Sequence, residues 1–166
     1  RFQVGRRALG TEPGSSGAWA AQAAVSYGSL PLEDATKAGY RYDKQTADGW
    51  GWTGPPKAML EIGAKHRIRT VSRVLNAEEA RDAIVFGHGV TVASNQGFDG
   101  GYYDEDGKRW LKPRGRWAHQ MAFIGVEDRP GRKKGFYCQN QWGEDAHAKP
   151  IGDEPPGGFW VDWQTA

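Results

Sequence analysis

The sequence has a single cysteine, Cys138, and so cannot form an internal disulfide or a four-cysteine zinc site. It also lacks any apolar run near the roughly 20 residues that a membrane-spanning helix needs, and nothing in it resembles a signal peptide. This cysteine usage favours a reducing location, either the cytoplasm or a particle assembled there such as a virion. The chain begins at Arg1 without a methionine, which suggests a trimmed, processed or partial polypeptide.

A strong charge of either sign is also missing. Lys and Arg number 22 and Asp and Glu number 20, giving a net charge of +2, and this predicts neither a nucleic-acid nor a membrane partner. We interpret the basic clusters at 112–116 and 132–134 as solvated loop charge rather than a phosphate-binding patch. His66, His88 and His147 show no metal-ligand spacing and are interpreted as surface or loop residues. We therefore predict no metal and no other cofactor.

Length and composition favour one globular domain covering residues 1–166. A chain of 166 residues can bury roughly 70% of its unfolded surface, which is enough for a real core. The 24 glycines and 9 prolines predict many turns and long connections.

Three helices are predicted in the first half of the chain. Ser16 is a good N-cap for an alanine-rich helix that ends at Gly28, where glycine suits the left-handed C-terminal position. Pro55-Pro56 opens a second helix that closes at Gly63. Asn76 with Glu79 forms a capping box for a third, which carries an apolar stripe and stops near Phe86-Gly87; the stripe consists of Ala80, Ile84 and Val85.

Two connecting segments are predicted to be non-helical. Residues 30–54 are rich in turn residues, and their end, Gly49-Trp50-Gly51-Trp52-Thr53-Gly54, is interpreted as an ordered loop in which glycines allow close approach beside two flat side chains. Residues 67–75 alternate polar and apolar side chains, which predicts a strand.

The second half of the chain is predicted to be β-rich. Its candidate strands contain many aromatic and branched residues and are separated by glycine or proline; they cover 89–94, 117–126, 136–141 and 159–163. Asp106-Gly107 is a typical hairpin turn. Because helices precede strands, the fold class is α+β with segregated layers. We expect a helical half from about 14 to 66 and a β-rich half from about 67 to 166.

His119 and Asn140 are the residues best suited to chemistry. They lie 21 positions apart on two predicted strands that a hairpin would bring together. A carboxamide oxygen can accept a hydrogen bond from one imidazole nitrogen, which fixes the tautomer and leaves the other nitrogen for a nucleophile. Trp142, two residues further on, could cover that bond. A purely structural histidine and asparagine would give the same pattern.

The motifs around these two residues resemble those of papain-like cysteine peptidases. The chain has His119-Gln120-Met121-Ala122-Phe123-Ile124-Gly125, then Asn140-Gln141-Trp142-Gly143, and Gly158-Phe159-Trp160-Val161. The family has a histidine strand, an Asn-Ser-Trp-Gly segment and a closing strand with glycine and aromatic residues. Within the asparagine motif, only Gln141 departs, replacing serine.

The likeness extends upstream over nearly the whole chain. Gly14-Ser15-Ser16-Gly17-Ala18-Trp19 is similar to the segment that opens the family's nucleophile helix, and residues 49–54 resemble its cleft-lining glycine loop. The resemblance implies a helical subdomain packed on an antiparallel β-barrel-like subdomain with a cleft between them. It implies a catalytic site of Ser16, His119 and Asn140, with Ser16 facing the pair. The implied substrate contacts are Trp50, Gly51, Trp52 and Trp142.

Two departures concern activity. Ser16 stands where the family has its cysteine, and a serine hydroxyl is a far weaker nucleophile than a thiolate. Gly10 stands where the family has an oxyanion-binding glutamine, a donor worth roughly 3 kcal/mol of transition-state stabilisation. The spacing of 103 residues from Ser16 to His119 is shorter than the roughly 130 typical of secreted members, and fits compact bacterial and phage domains.

Cys138 is an alternative nucleophile, since it lies two residues before Asn140 on the same predicted strand. No helix terminus stands behind a strand residue to lower its pKa, so we interpret Cys138 as a small buried hydrophobic residue.

Two functions follow from the resemblance. One is an inactive peptidase scaffold that binds a peptide or protein segment in the cleft, or serves as a structural or assembly module of a phage or bacterial particle. The other is an active cysteine endopeptidase whose nucleophile has been changed to serine. The missing glutamine favours the first, because a deliberate inactivation would not also remove it.

Overall fold

A computed structural model describes residues 16–41, 43–147 and 149–166, apart from the side chains of Lys44 and Trp52. The chain divides into two compact units, one ending at Ser72 and the other beginning at Arg73. The first unit is helical and the second is mainly a β-sheet, in agreement with the predicted α+β class.

The described part of the first unit contains four α-helices. They are α1 (Gly17–Ser26), α2 (Leu32–Lys37), α3 (Lys44–Thr53) and α4 (Lys57–Gly63), and a 3₁₀ turn at Ala64–His66 follows α4. Ser16 caps α1 as predicted, because its Oγ accepts a hydrogen bond from the Trp19 amide at 3.3 Å. Gly28 has a φ of +79°, and a Cβ there would overlap the Gly63 carbonyl, so glycine is required where α1 and α4 meet.

The prediction that residues 30–54 are non-helical is wrong, because α2 and α3 both lie within this segment, and α3 includes Gly49 to Thr53 of the predicted loop at 49–54. Asp43 caps this helix by accepting a hydrogen bond from the Thr46 amide at 2.8 Å, and Gly54 ends it with a φ of +78°. Each helical glycine costs up to about 1 kcal/mol relative to alanine. The Trp50 ring meets Tyr40 edge to face at 5.4 Å, a tertiary contact that favours the helix.

The predicted strand at 67–75 is also wrong. These residues form no strand and are all exposed. An alternating pattern produces a strand only where a neighbouring strand can pair with it, and this segment has none among the described residues.

The second unit opens with α5 (Ala77–Val85). Its predicted cap is confirmed, since Asn76 Oδ1 accepts a hydrogen bond from the Glu79 amide at 2.8 Å. Ala80 and Ile84 contact the sheet core, but Val85 is 65% exposed and does not belong to the buried stripe.

Four strands follow in the order β1-β2-β3-β4: β1 (Val90–Tyr103), β2 (Arg109–Glu127), β3 (Gly135–Gln139) and β4 (Gly158–Asp162). The four predicted strand positions and the turn at Gly107 (φ +78°) are confirmed, although β1 and β2 form a longer hairpin than predicted. Neighbouring strands run antiparallel, and one parallel pair joins Trp110 of β2 to Trp160 of β4. Because β2 reaches both β3 and β4, the sheet curls into a half-barrel.

Strands β3 and β4 are buried on both faces, because alternate side chains enter two apolar clusters. The larger cluster includes Phe136, Cys138, Phe159 and Val161 together with residues of α5, β1 and β2. The smaller consists of Trp110, Tyr137 and Trp160. These clusters fix the register of the strands that carry His119 and Asn140, since a slip of one residue would exchange the two faces.

The two basic clusters agree only in part with the interpretation as solvated loop charge. Residues 112–116 are exposed as expected, but they lie within β2 rather than in a loop. Residues 132–134 do lie in a connection, but Arg132 contacts Glu105 and Asp106, and Lys133 contacts Asp162 at 3.2 Å. Acidic neighbours therefore offset much of this charge.

Glu127, at the end of β2, is a buried carboxylate held by cations. Its side chain is 6% exposed and accepts hydrogen bonds from Arg129 Nε at 2.8 Å, while Lys108 Nζ lies 3.2 Å away. The hydrogen bonds from Arg129 lower the Glu127 pKa from 4.5 to about 2, although burial opposes them. Because the Glu127 pKa is lower in the folded than in the unfolded protein, its ionised form stabilises the fold. This stabilisation is complete above the pKa of the unfolded state and is lost as the pH falls towards the pKa of the folded state.

We expect Glu127→Gln to lower the free energy of unfolding at pH 7 by about 2 kcal/mol, because the variant removes the buried negative charge that accepts hydrogen bonds from Arg129 and lies beside Lys108. The unchanged chain should lose stability between about pH 5 and pH 2, and the variant should lose less over the same range. Urea unfolding at several pH values measures the difference. Glu105→Gln is the matched control, since Glu105 is 77% exposed and should change stability by under about 1 kcal/mol. Equal losses of unfolding free energy in the two variants would contradict a stabilising role for the Glu127 carboxylate.

Candidate functional site

His119 and Asn140 lie side by side in the second unit, as the sequence predicts. His119 is on β2, and Asn140 follows directly after the last residue of β3. The register pairs Ala122 of β2 with Gln139 of β3, so His119 lies a few residues beyond that pair, beside Asn140. His119 Nε2 and Asn140 Oδ1 are 2.9 Å apart.

A backbone amide determines which way this hydrogen bond runs. The N–H of Gln141 donates to Asn140 Oδ1 at 2.7 Å, and a backbone N–H can only donate, so the atom that it meets must be the carboxamide oxygen. The oxygen accepts, and His119 Nε2 therefore carries the proton. The lone pair of a neutral His119 is then on Nδ1, which is the arrangement a general base needs.

Trp142 covers the histidine, as predicted. Its ring stacks on the His119 ring with centroids 4.7 Å apart and an interplanar angle of 29°, although 51% of the tryptophan remains exposed. Gly143 then turns the chain with a φ of +118°, a conformation that favours glycine. The short Asn140-to-Gly143 motif thus contains an orienting residue, a ring that covers the histidine, and a turn.

Gln141, which stands in place of the family's serine, ties the motif to the histidine strand. Its Nε2 donates to the Gln120 carbonyl at 3.0 Å, next to His119 in sequence. Gln139 Nε2 donates to the carbonyls of Asn140 and Pro156, both at 3.0 Å. These bonds hold the segment after β3 from both sides.

His147 is a further member of the group that the sequence analysis missed. It lies in a turn as expected of a loop residue, but it is half-buried and its Nε2 is 2.7 Å from Asn140 Nδ2. Its ring stacks on Trp117 at 5.9 Å and meets Phe159 edge to face at 4.6 Å. A histidine seven residues after an asparagine has no recognisable periodicity, so no sequence signal could have found it.

The remaining predicted site residues lie in the first unit. Ser16 caps α1, and Trp50 and Gly51 lie on α3; the backbone of Trp52 is also in α3, but its side chain is outside the described part of the structure, as is Gly10. The expectation that Ser16 faces His119 across a cleft stays a prediction, and so do the substrate contacts of Trp50, Gly51 and Trp52.

Cys138 is buried, which confirms its interpretation as a small hydrophobic residue. Its side chain is 0% exposed in the core of the sheet, with Sγ 3.7 Å from the Met121 sulfur. Burial alone raises the pKa of this thiol to about 12, so it is not a thiolate at neutral pH.

Within residues 16–41, 43–147 and 149–166, no group of three or more His, Cys, Asp or Glu side chains is placed to hold a metal ion. No helix in the same ranges is both long and apolar enough to cross a bilayer.

Comparison with known proteins identifies no relative: no protein-family model, curated protein or solved structure matches the chain.

We expect the Cys138 thiol to resist a chromogenic disulfide reagent at pH 8 in the folded protein, because it is both buried and protonated. Unfolding in guanidinium chloride should expose it and speed its reaction by at least about a hundredfold, since its pKa then returns to near 8.5. The rate of thiolate release, followed by absorbance with and without denaturant, measures this. A thiol that reacts equally fast in the folded chain would contradict its placement in the core.

Proposed function

We propose that this chain is a papain-like peptidase scaffold that has lost its thiol nucleophile and binds a peptide or protein segment without cleaving it. As in the sequence-based expectation, such a module could serve in the assembly of a larger particle. The hydrogen bond from His119 Nε2 to Asn140 Oδ1 beneath Trp142 supports the papain-like part of the proposal, and the serine at position 16 supports the loss of cleavage.

The direction of that bond is the chemically important part. With the proton on Nε2, His119 presents Nδ1 as the nitrogen that would accept a proton from a thiol, and Asn140 would hold the imidazolium that results. A thiolate and imidazolium form a stable pair, whereas a serine hydroxyl is too weak an acid for this exchange. With Ser16 at the nucleophile position, the histidine has no thiol to deprotonate.

Binding needs an apolar contact beside the histidine, and Trp142 supplies one. About half of its ring is exposed, and such large flat side chains contribute much of the affinity of peptide-binding surfaces. We propose Trp50, Gly51 and Trp52 as further substrate contacts on the resemblance alone.

A second candidate is an active cysteine peptidase in which Ser16 replaces the nucleophile. The intact bond between His119 and Asn140 favours it, because a scaffold used only for binding has no need of an oriented imidazole. The glycine at position 10 counts against it, since loss of one oxyanion donor costs about a hundredfold in rate.

Ser16→Cys tests whether residue 16 and His119 act together. If His119 lowers the pKa of the new thiol by about two units, the thiolate fraction at pH 6 rises roughly 70-fold. The lower nucleophilicity of the weaker base offsets about tenfold of that gain, so we expect alkylation by iodoacetamide about tenfold faster than that of an ordinary thiol. Mass spectrometry of position 16 over time gives the rate, and the buried Cys138 adds little background.

The matched control is the double variant Ser16→Cys/His119→Ala. A helix N-terminus also lowers a thiol pKa, so any enhancement that survives in the double variant comes from α1 rather than from His119. Equal rates in the two variants would refute the papain-like site.

Hydrolysis of an unstructured peptide by Ser16→Cys separates the two candidate functions. A reactive thiol without turnover supports the binding scaffold, and rapid turnover that prior alkylation abolishes supports the peptidase. Adding Gly10→Gln should raise a weak turnover by about a hundredfold if the missing donor limits it.

A further inference from the structure

The carboxamide of Asn140 has a polar partner on each side. The residue is 4% exposed, so its oxygen and its NH₂ group need partners within the protein. Oδ1 accepts from the Gln141 amide and from His119, and Nδ2 lies 2.7 Å from His147 Nε2.

The donors and acceptors around Asn140 then determine the protonation state of His147. The Gln141 amide identifies Oδ1, so the atom that faces His147 is Nδ2, which can only donate. His147 Nε2 must accept and therefore carries no proton. The ring is neutral with its proton on Nδ1, which is the less common tautomer of free histidine.

The surroundings of His147 favour this neutral form. Burial lowers the His147 pKa, and the charge of Arg109, together with that of His119 when it is protonated, lowers it further; both residues are on β2. The rings of Trp117, Phe159 and Trp142 also pack against His147, within 6 Å between centroids. None of these three side chains can form an ion pair with a protonated imidazole.

We propose that His147 is a positioning residue that holds the Asn140 carboxamide with its oxygen towards His119. The functional importance of this orientation of Asn140 rests on the proposed function, in which His119 and Asn140 belong to a site of papain-like descent. His147 acts through Asn140 and contacts no substrate in this scheme.

Reversing the amide shows what His147 adds. In the reversed orientation the NH₂ group would face two donors, the Gln141 amide and His119 Nε2, while the oxygen would face the lone pair of His147 Nε2. With both rings in the tautomers assigned above, all three hydrogen bonds would be lost; if both rings moved their proton to the other nitrogen, the bond from the Gln141 amide would still be lost in a buried place. The backbone amide therefore selects the orientation, and His147 holds the NH₂ side of the group, which this amide does not reach.

NMR of the ¹⁵N-labelled full chain at pH 8 tests the proposal directly. Long-range proton–nitrogen spectra of the imidazoles should show His147 protonated at Nδ1 and His119 at Nε2. A scalar coupling across the hydrogen bond should join Asn140 Nδ2 to His147 Nε2. A proton on His147 Nε2, or the absence of that coupling, would overturn the proposal, and neither measurement requires a variant to fold.

Variants at position 147 add a test of cause. His147→Leu removes the acceptor, and we expect the Asn140 side-chain NH₂ protons to exchange with water about fivefold to tenfold faster, the effect of losing one neutral hydrogen bond. His147→Gln can turn its own carbonyl oxygen towards Nδ2 and should restore most of the protection. His88→Gln, at an exposed histidine, is the control and should change neither rate. If leucine leaves the exchange rate unchanged, His147 does not position Asn140.

Failure of this proposal can be distinguished from failure of the proposed function. The tautomers, the coupling and the exchange rates are measured with Ser16 in place and involve no nucleophile. An unreactive thiol in Ser16→Cys alongside a coupled Asn140 and His147 would refute the papain-like site but not the positioning contact. A reactive thiol without the coupling would refute the role of His147 alone.

Discussion

The polarity of one buried carboxamide determines the chemical character of this site. Asn140 has an oxygen that can only accept and an NH₂ group that can only donate, and the Gln141 amide selects which of them faces His119. The protonation of two histidines follows from that selection, in opposite senses: His119 carries its proton on Nε2, and His147 on Nδ1. The same backbone that ends β3 therefore defines the tautomers of both rings.

This arrangement depends on the sheet beneath it. The strand β2 is long enough to carry His119 in its middle while one end pairs with β3 and the other reaches Trp160 of β4. Apolar clusters on both faces of β3 and β4 prevent a slip in register, which would move His119 away from Asn140. The hydrophobic core thus acts on the site both through strand position and through Phe159, whose ring meets His147.

Cys138 on β3 and Asn140 just after the end of that strand show how burial affects two different side chains. Cys138 points into the core, where no charge favours its thiolate and burial raises its pKa. Asn140, two residues later, is also buried but has partners for its polar groups. The difference is the loop at 141–147, which folds back to supply donors and an acceptor. The loop after a strand can thus satisfy polar groups at the end of that strand.

The sequence alone determined the features that depend on near neighbours in the chain. Ser16, Asn76 and Gly28 predicted helix ends correctly, because capping involves atoms within four residues. The hairpin turn, the strands and the closeness of His119 to Asn140 followed from turn chemistry and alternation. Only the tertiary structure decided whether residues 44–53 form a helix, whether 67–75 find a strand partner, and what His147 contacts. Each of these depends on contacts beyond a single turn of the chain, such as Tyr40 with Trp50 and Asn140 with His147, whose formation no local pattern specifies.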